Sequence, residues 1–200
     1  MVAVIIFVCT VIEIALQLGD LGLAGLPRLR ITAYEYGGFW SQLLWGWRPN
    51  YALQPWTMFV TYAFLHGGLL HLCFNMAALW SLSPPVAERA GPGGLAAIYA
   101  AGVVVGAVAH GLTATTLQPM VGASGGLFGL AGALVGCAHA DRRVLAEGIR
   151  PTLRAIALLT AINLAMWWAL DGQLAWQTHL GGFLAGWIAG RIADRTTDRE

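Results

Sequence analysis

Long apolar runs alternate with short polar stretches along most of the chain. A run of about 18 or more apolar residues is long enough to cross the hydrocarbon core of a bilayer as an α-helix. These runs lack the two-residue alternation of apolar and polar side chains that outer-membrane β-strands show. The pattern therefore predicts an all-α membrane protein, a single domain over residues 1–200 with six transmembrane helices at about 1–18, 68–86, 93–112, 122–139, 152–170 and 174–193.

The composition supports this prediction. The chain is 58% hydrophobic and only 10% charged, whereas a soluble domain usually carries about 25% charged residues. The first apolar run has no basic segment before it and no small-residue cleavage site after it, so we interpret it as a retained span rather than a secretion signal. The three cysteines lie in apolar segments, which favours buried thiols over disulfides. A net charge of +1 gives no reason to expect a nucleic-acid partner.

The arginines predict how the spans are oriented. If the N-terminus is cytoplasmic, Arg28, Arg30 and Arg48 lie outside, and the other eight of the 11 basic residues lie inside. Cytoplasmic loops carry an excess of positive charge. We therefore predict that both termini are cytoplasmic and that the fourth span begins at the external face.

A long external segment, residues 19–67, separates the first two predicted spans and contains four tryptophans. Tryptophan prefers the headgroup level of a bilayer. We expect this loop to be partly helical and to lie in the membrane interface. An ordinary extracytoplasmic loop is the alternative.

Polar side chains are energetically unfavourable inside a membrane and usually face the protein interior or a water-filled cavity. They open three of the predicted spans at the external end: His66, His71 and Asn75 at the second, Ser124 at the fourth and His179 at the sixth. At about 1.5 Å of rise per residue, His71, Ser124 and His179 lie from a few to roughly 10 Å below the external surface. This shared depth indicates one site.

Glycines at helical spacing could bring these polar groups together. One set follows Ser124 and the other follows His179: Gly125, Gly129, Gly132 and Gly136, then Gly182, Gly186 and Gly190. Small residues at such spacing let transmembrane helices approach backbone to backbone. Tight packing without chemistry would explain the glycines alone, but a serine and a histidine at the two upper ends favour a reactive pair.

A base such as His179 could activate the Ser124 hydroxyl. His71 and Asn75, which are four residues apart, could then donate hydrogen bonds to an oxyanion, together with the N–H groups that open the fourth span.

Three motifs resemble the rhomboid intramembrane serine proteases, and the resemblance covers nearly the whole chain. They are "HGGLLHLCFN" in the second span, "GASG" at the start of the fourth and "HLGGFLAG" in the sixth. The resemblance implies a six-helix rhomboid-like bundle with a long interfacial first external loop. It also implies a Ser124–His179 dyad without a catalytic acid, oxyanion roles for His71 and Asn75, and supporting roles for His66 and Gly122.

The function implied is that of an intramembrane endopeptidase in the bacterial inner membrane that cleaves transmembrane segments of other proteins near the external face. The expected partners are those substrates and the lipid bilayer, with no cofactor, metal or nucleic acid, and the oligomeric state is left open. The chain departs from the family pattern at two places. Trp56 is followed by Thr57 where many members have arginine, and Phe128 replaces a tyrosine that often stacks on the catalytic histidine.

Three other interpretations of the sequence are possible. "GASGG" also fits the nucleophile elbow of α/β-hydrolases, but that motif needs a strand before the serine. The five histidines could hold a metal or haem, yet His110 and His139 lie at opposite ends of their spans. An inactive rhomboid-like binding protein is the third alternative, and the presence of both Ser124 and His179 speaks against it.

Three further polar residues have no place in this site. We expect Glu13 to snorkel or to pair with an external arginine such as Arg48, and Asn163 to hydrogen-bond a neighbouring helix. Asp171, eight residues before His179, is expected to be solvated rather than the third member of a triad.

Overall fold

A computed structural model describes residues 1–23, 25, 28–145 and 148–197, and almost all of its regular structure is helical. Within these ranges the β-structure amounts to one isolated bridge between Phe39 and Met120. The all-α class is thus confirmed. The helices are α1 (Val2–Asp20), α2 (Leu29–Gly37), α3 (Gln54–Thr61), α4 (Leu69–Thr113), α5 (Ser124–Val144), α6 (Arg150–Ala169) and α7 (Trp176–Thr197), with short 3-10 helices at Ser41–Trp45 and Tyr62–Phe64.

Three of the described helices, α1, α4 and α6, are long and apolar enough to cross a membrane. Helix α4 is broken at Gly91, where the backbone turns to φ 68° and ψ 173°. Pro92 follows and cannot donate the backbone hydrogen bond that would continue the helix. Helix α4 therefore consists of two segments, 69–90 and 92–113, which correspond to the second and third predicted spans. The count of six transmembrane helices stays a prediction.

Glycines set the contacts among α4, α5 and α7. A Cβ atom on Gly182 or on Gly186 of α7 would overlap the carbonyl oxygen of Gly125 or of Gly129, respectively, on α5. A Cβ on Gly102 of α4 would lie 2.7 Å from that same Gly125 oxygen. The three helices thus touch through their backbones, which only residues without side chains permit.

The segment between α1 and α4 covers one end of this bundle. Phe39 is fully buried, and its backbone pairs with Met120 in the loop before α5. Trp45 and Trp56, by contrast, expose 69% and 76% of their surfaces. Large exposed apolar side chains of this kind mark a surface for membrane or protein contact. Their position in a lipid interface stays a prediction.

Helix α6 lies at the edge of the bundle. Thr152 is its one buried residue, and most of its apolar side chains are exposed.

Among the cysteines, Cys9 and Cys137 are buried as expected, but Cys73 is exposed because it points away from the core on α4. The expectation of three buried thiols was therefore wrong for Cys73.

Candidate active site

Ser124 is the first residue of α5, and the loop before it is closely packed. Gly122 has a φ of 128°, a conformation that strongly favours glycine. Its N–H donates to the carbonyl oxygen of Tyr62 at 3.0 Å. A Cβ on Gly122 would also lie 2.9 Å from Nε2 of His71. The glycine before the serine is therefore required both for its backbone conformation and for the approach of the histidine.

His71 and Asn75 both reach this loop from α4. The same Cβ position on Gly122 lies 3.7 Å from Nδ2 of Asn75. Nδ1 of His71 is 3.2 Å from the N–H of Gly67 and accepts its hydrogen bond. A neutral imidazole carries one proton, so the Nε2 atom that faces Gly122 is then the donor. Asn75 Nδ2 is buried and has no hydrogen-bond partner among the described residues, so two donors converge just before Ser124.

His66 lies behind His71. Its side chain is fully buried, and the two rings meet edge to face with centroids 5.3 Å apart. The carbonyl oxygen of His66 accepts hydrogen bonds from Tyr34 Oη at 2.7 Å and from Arg30 Nη1 at 3.0 Å. His66 thus packs against the ring that approaches Gly122, and its backbone is fixed by the segment between α1 and α4.

His179 is almost completely buried on α7, and two contacts hold its ring. Phe128 of α5 stacks on it, with centroids 4.1 Å apart and planes within 8°. Nδ1 of His179 lies 2.8 Å from Oδ1 of Asn163 on α6. Asn163 therefore does bond a neighbouring helix, and its partner is the histidine that the sequence motifs single out.

The turns that carry Ser124 and His179 are in direct contact. A Cβ on Gly125 would lie 2.9 Å from Cγ2 of Thr178. Phe128, which covers the ring of His179, is one helical turn after Ser124. Within the described residues, the structure records no hydrogen bond between the Ser124 hydroxyl and His179, so the dyad stays a prediction.

Glu13 belongs to an ion cluster next to this region. The carboxylate is fully buried and binds Arg30 through both oxygens, at 2.8 and 3.1 Å. Arg30 also binds Asp20 at 2.6 Å. Burial opposes the charge of Arg30, yet hydrogen bonds to the two carboxylates and to Tyr34 raise its pKa, so the guanidinium remains charged. The prediction that Glu13 pairs with an arginine is thus confirmed, but the partner is Arg30 and not Arg48.

The other histidines pack elsewhere. His110 lies edge-on to Phe39 with centroids 6.0 Å apart, and His139 lies 5.6 Å from the Trp187 ring. In the part of the chain that the structure describes, no three His, Cys, Asp or Glu residues are grouped as metal ligands. That the protein works without metal or cofactor stays a prediction.

A cavity of about 320 Å³ opens between the loop before α5 and the loop before α7. Polar side chains line it, among them Gln118, Gln173 and Gln177. Asp171 also lies on its wall and is exposed, as expected. Neither Ser124 nor His179 is among the lining residues.

Together these features define a class of protein: a helical chain with membrane-length apolar helices and a group of histidine, asparagine and serine side chains where three glycine-packed helices meet. Residues 53–195 match the sequence profile of the Rhomboid domain. The chain therefore belongs to the rhomboid family, whose members are embedded in membranes.

Relatives occur in bacteria, animals and plants. Rhomboid protease GluP of Bacillus subtilis (strain 168) is 33% identical over 133 residues, which cover 66% of this chain and 25% of GluP. Rhomboid-related protein 3 of Homo sapiens is 33% identical over 87 residues, 44% of this chain and 21% of the relative. RHOMBOID-like protein 5 of Arabidopsis thaliana is 31% identical over 122 residues, 60% of this chain and 38% of the relative. The chain thus spans well under half the length of these curated relatives.

Proposed function

We propose that this protein is an intramembrane serine endopeptidase that cleaves transmembrane segments of other proteins near the external face. Ser124 is the nucleophile and His179 is the general base. The observation that carries the proposal is the convergence of three helices around the start of α5. His179 stacks on Phe128 one turn after Ser124, while His71 and Asn75 lie against Gly122 two residues before it.

The chemistry follows from these positions. Nε2 of His179 takes the proton from the Ser124 hydroxyl as the oxygen attacks a peptide carbonyl, and a tetrahedral oxyanion forms. His71 Nε2–H, Asn75 Nδ2–H and the N–H groups of the first turn of α5 donate to that oxyanion. The imidazolium then gives its proton to the leaving amine, and an acyl-enzyme remains on Ser124. Water, activated by the same histidine, releases the acyl group and regenerates the serine.

The membrane sets the substrate class. In the proposed topology six spans cross the inner membrane, both termini are cytoplasmic, and Ser124 lies near the external end of α5. The carbonyl groups of a substrate helix are occupied by its own hydrogen bonds, so the helix must unwind locally before Ser124 can attack. Segments with small or helix-weakening residues near the external face are therefore the preferred substrates.

Labelling with a fluorophosphonate tests the proposal directly, because the probe reacts with an activated serine and needs no substrate sequence. We expect the purified protein to be labelled at Ser124, as located by peptide mass spectrometry, and to cleave at least one member of a co-expressed library of tagged transmembrane segments. Ser81→Ala is the matched control and should label and cleave like the wild type, because Ser81 is an exposed serine on α4 whose hydroxyl donates to the carbonyl oxygen of Ala77 in the same helix. A folded protein that neither reacts with the probe nor cleaves any segment would be an inactive rhomboid-like binding protein.

Loss of either proposed oxyanion donor should slow turnover more than it weakens substrate binding. We expect His71→Ala and Asn75→Ala each to lower kcat by about 10²–10³, the cost of one such donor in a soluble protease. The measurement is kcat and KM for a transmembrane substrate, with the thermal unfolding midpoint taken on the same preparation. Asn50→Ala, at an exposed asparagine whose amide donates to the carbonyl oxygen of Glu35 on α2, is the control. If a variant unfolds at lower temperature but the folded fraction turns over at the normal rate, that residue serves packing alone.

Asp171→Asn should leave cleavage close to the wild-type rate. Asp171 is exposed in the turn before α7, and its φ of 49° is one that asparagine also tolerates, so the fold is kept. In a serine-protease triad the same change lowers kcat by about 10⁴. The comparison is cleavage of one substrate at matched protein levels. A loss of that size in folded protein would show that Asp171 acts as a triad acid and that the dyad is wrong.

A further inference from the structure

Asn163 is a polar residue within the apolar surface of α6. Its sequence neighbours Ile162 and Leu164 expose 44% and 62% of their surfaces, whereas Asn163 is half-buried and faces the bundle. Polar side chains in membrane spans are costly and usually have a specific partner. Here the partner is Nδ1 of His179, 2.8 Å from the amide oxygen.

This hydrogen bond determines which nitrogen of His179 carries the proton. An amide oxygen can only accept, so Nδ1 must be the donor. In a neutral imidazole the other nitrogen, Nε2, is then an acceptor. Stacking on Phe128 fixes the plane of the ring, and the bond to Asn163 fixes its rotation within that plane. The two contacts together leave the ring one orientation and one tautomer.

We propose that Asn163 is a positioning residue that holds His179 in the Nδ1–H tautomer, with Nε2 free to accept the proton of Ser124. This inference rests on the proposed protease function. A carboxylate has this role in serine-protease triads, and an asparagine has it in papain-like proteases. Asp171 cannot supply it, because it lies exposed in the turn before α7. A neutral amide orients the imidazole without adding a buried charge, which suits a site inside a bilayer.

Substitutions at Asn163 test the proposal kinetically. Asn163→Leu keeps the branched shape and the number of heavy atoms of the side chain and removes the acceptor. We expect kcat to fall by about 10²-fold, less than the roughly 10⁴-fold that a wrong tautomer costs a soluble triad, with KM little changed. Fluorophosphonate labelling of Ser124 should slow in parallel. Asn163→Asp, which retains an acceptor oxygen at the same position, should restore most of the rate, and Leu164→Ala, an exposed neighbour on the same helix, should match wild type.

A nuclear magnetic resonance measurement tests the same bond without requiring catalysis. In ¹⁵N-histidine-labelled protein, the His179 signal is identified by its loss in His179→Ala. We expect Nδ1 to be protonated and Nε2 unprotonated in the wild type, and this preference to be lost in Asn163→Leu. An Nε2–H tautomer in the wild type, or wild-type kcat in Asn163→Leu, would overturn the proposal. If the Nδ1–H tautomer is present in the wild type and lost in Asn163→Leu, but the protein neither labels nor cleaves, the protease function would be refuted and the orientation of His179 by Asn163 would stand.

Discussion

Ser124→Ala is expected to abolish cleavage of transmembrane substrates. Removing the hydroxyl removes the covalent route, and in a well-studied soluble serine protease loss of the nucleophile alone lowers kcat by about 10⁶. The groups around it would remain, because Phe128 would still stack on His179, and His71 would still lie against Gly122. Any residual rate would come from binding and oxyanion stabilisation alone. The assay is cleavage of a substrate from the transmembrane library by purified wild-type and variant protein.

The variant should fold normally, which makes the result interpretable. Ser124 is half-buried, and its hydroxyl makes no capping hydrogen bond to α5, whose N-cap position is Ala123. Alanine is also the best helix former. The thermal unfolding midpoint is the control, and fluorophosphonate labelling should disappear together with cleavage. Proteolysis at the wild-type rate by folded Ser124→Ala would refute Ser124 as the nucleophile.

The helices themselves were predictable from the sequence because each depends on local composition. Every predicted apolar run is helical in the structure, and Gly91 with Pro92 separates the second run from the third. The ends were less accurate. The fourth run was predicted to end near 139, but α5 continues to Val144 because charged residues such as Arg142 and Arg143 extend the helix beyond the apolar segment.

The partners of isolated polar residues could not be predicted in the same way. Three arginines, Arg28, Arg30 and Arg48, follow α1 in the predicted external segment, and only the fold of that segment brings Arg30 rather than Arg48 to Glu13. The partner of Asn163 was equally hard to predict. Hydropathy identifies α6 as a span but does not show which face of the helix is turned towards its neighbours. The glycine spacing was more informative, since residues three and four apart must share a helical face whatever the helix contacts.

The glycine face of α7 that contacts α5 leads to a second prediction. Gly182→Val is expected to inactivate the protein although it changes no reacting atom. Gly182 is three residues after His179 on α7, and even a Cβ atom there would overlap the carbonyl oxygen of Gly125, the residue after Ser124. The obstructing atom belongs to the backbone and cannot rotate away, so α7 must move from α5. A displacement of about 1 Å at a reacting pair can cost roughly 10²-fold in rate.

The substitutions can be graded, because the overlap begins at Cβ. Gly182→Ala should already lower kcat, and Gly182→Val should lower both kcat and the thermal unfolding midpoint further. Gly93→Val is the matched control, since a Cβ on Gly93 meets nothing within 4 Å. The measurements are cleavage of a transmembrane substrate, the rate of fluorophosphonate labelling and the unfolding midpoint for all three variants. If Gly182→Val were as active and as stable as Gly93→Val, backbone contact at Gly182 would not set the separation of Ser124 and His179. The packing of α7 against α5 would then depend on Gly186 and Gly190.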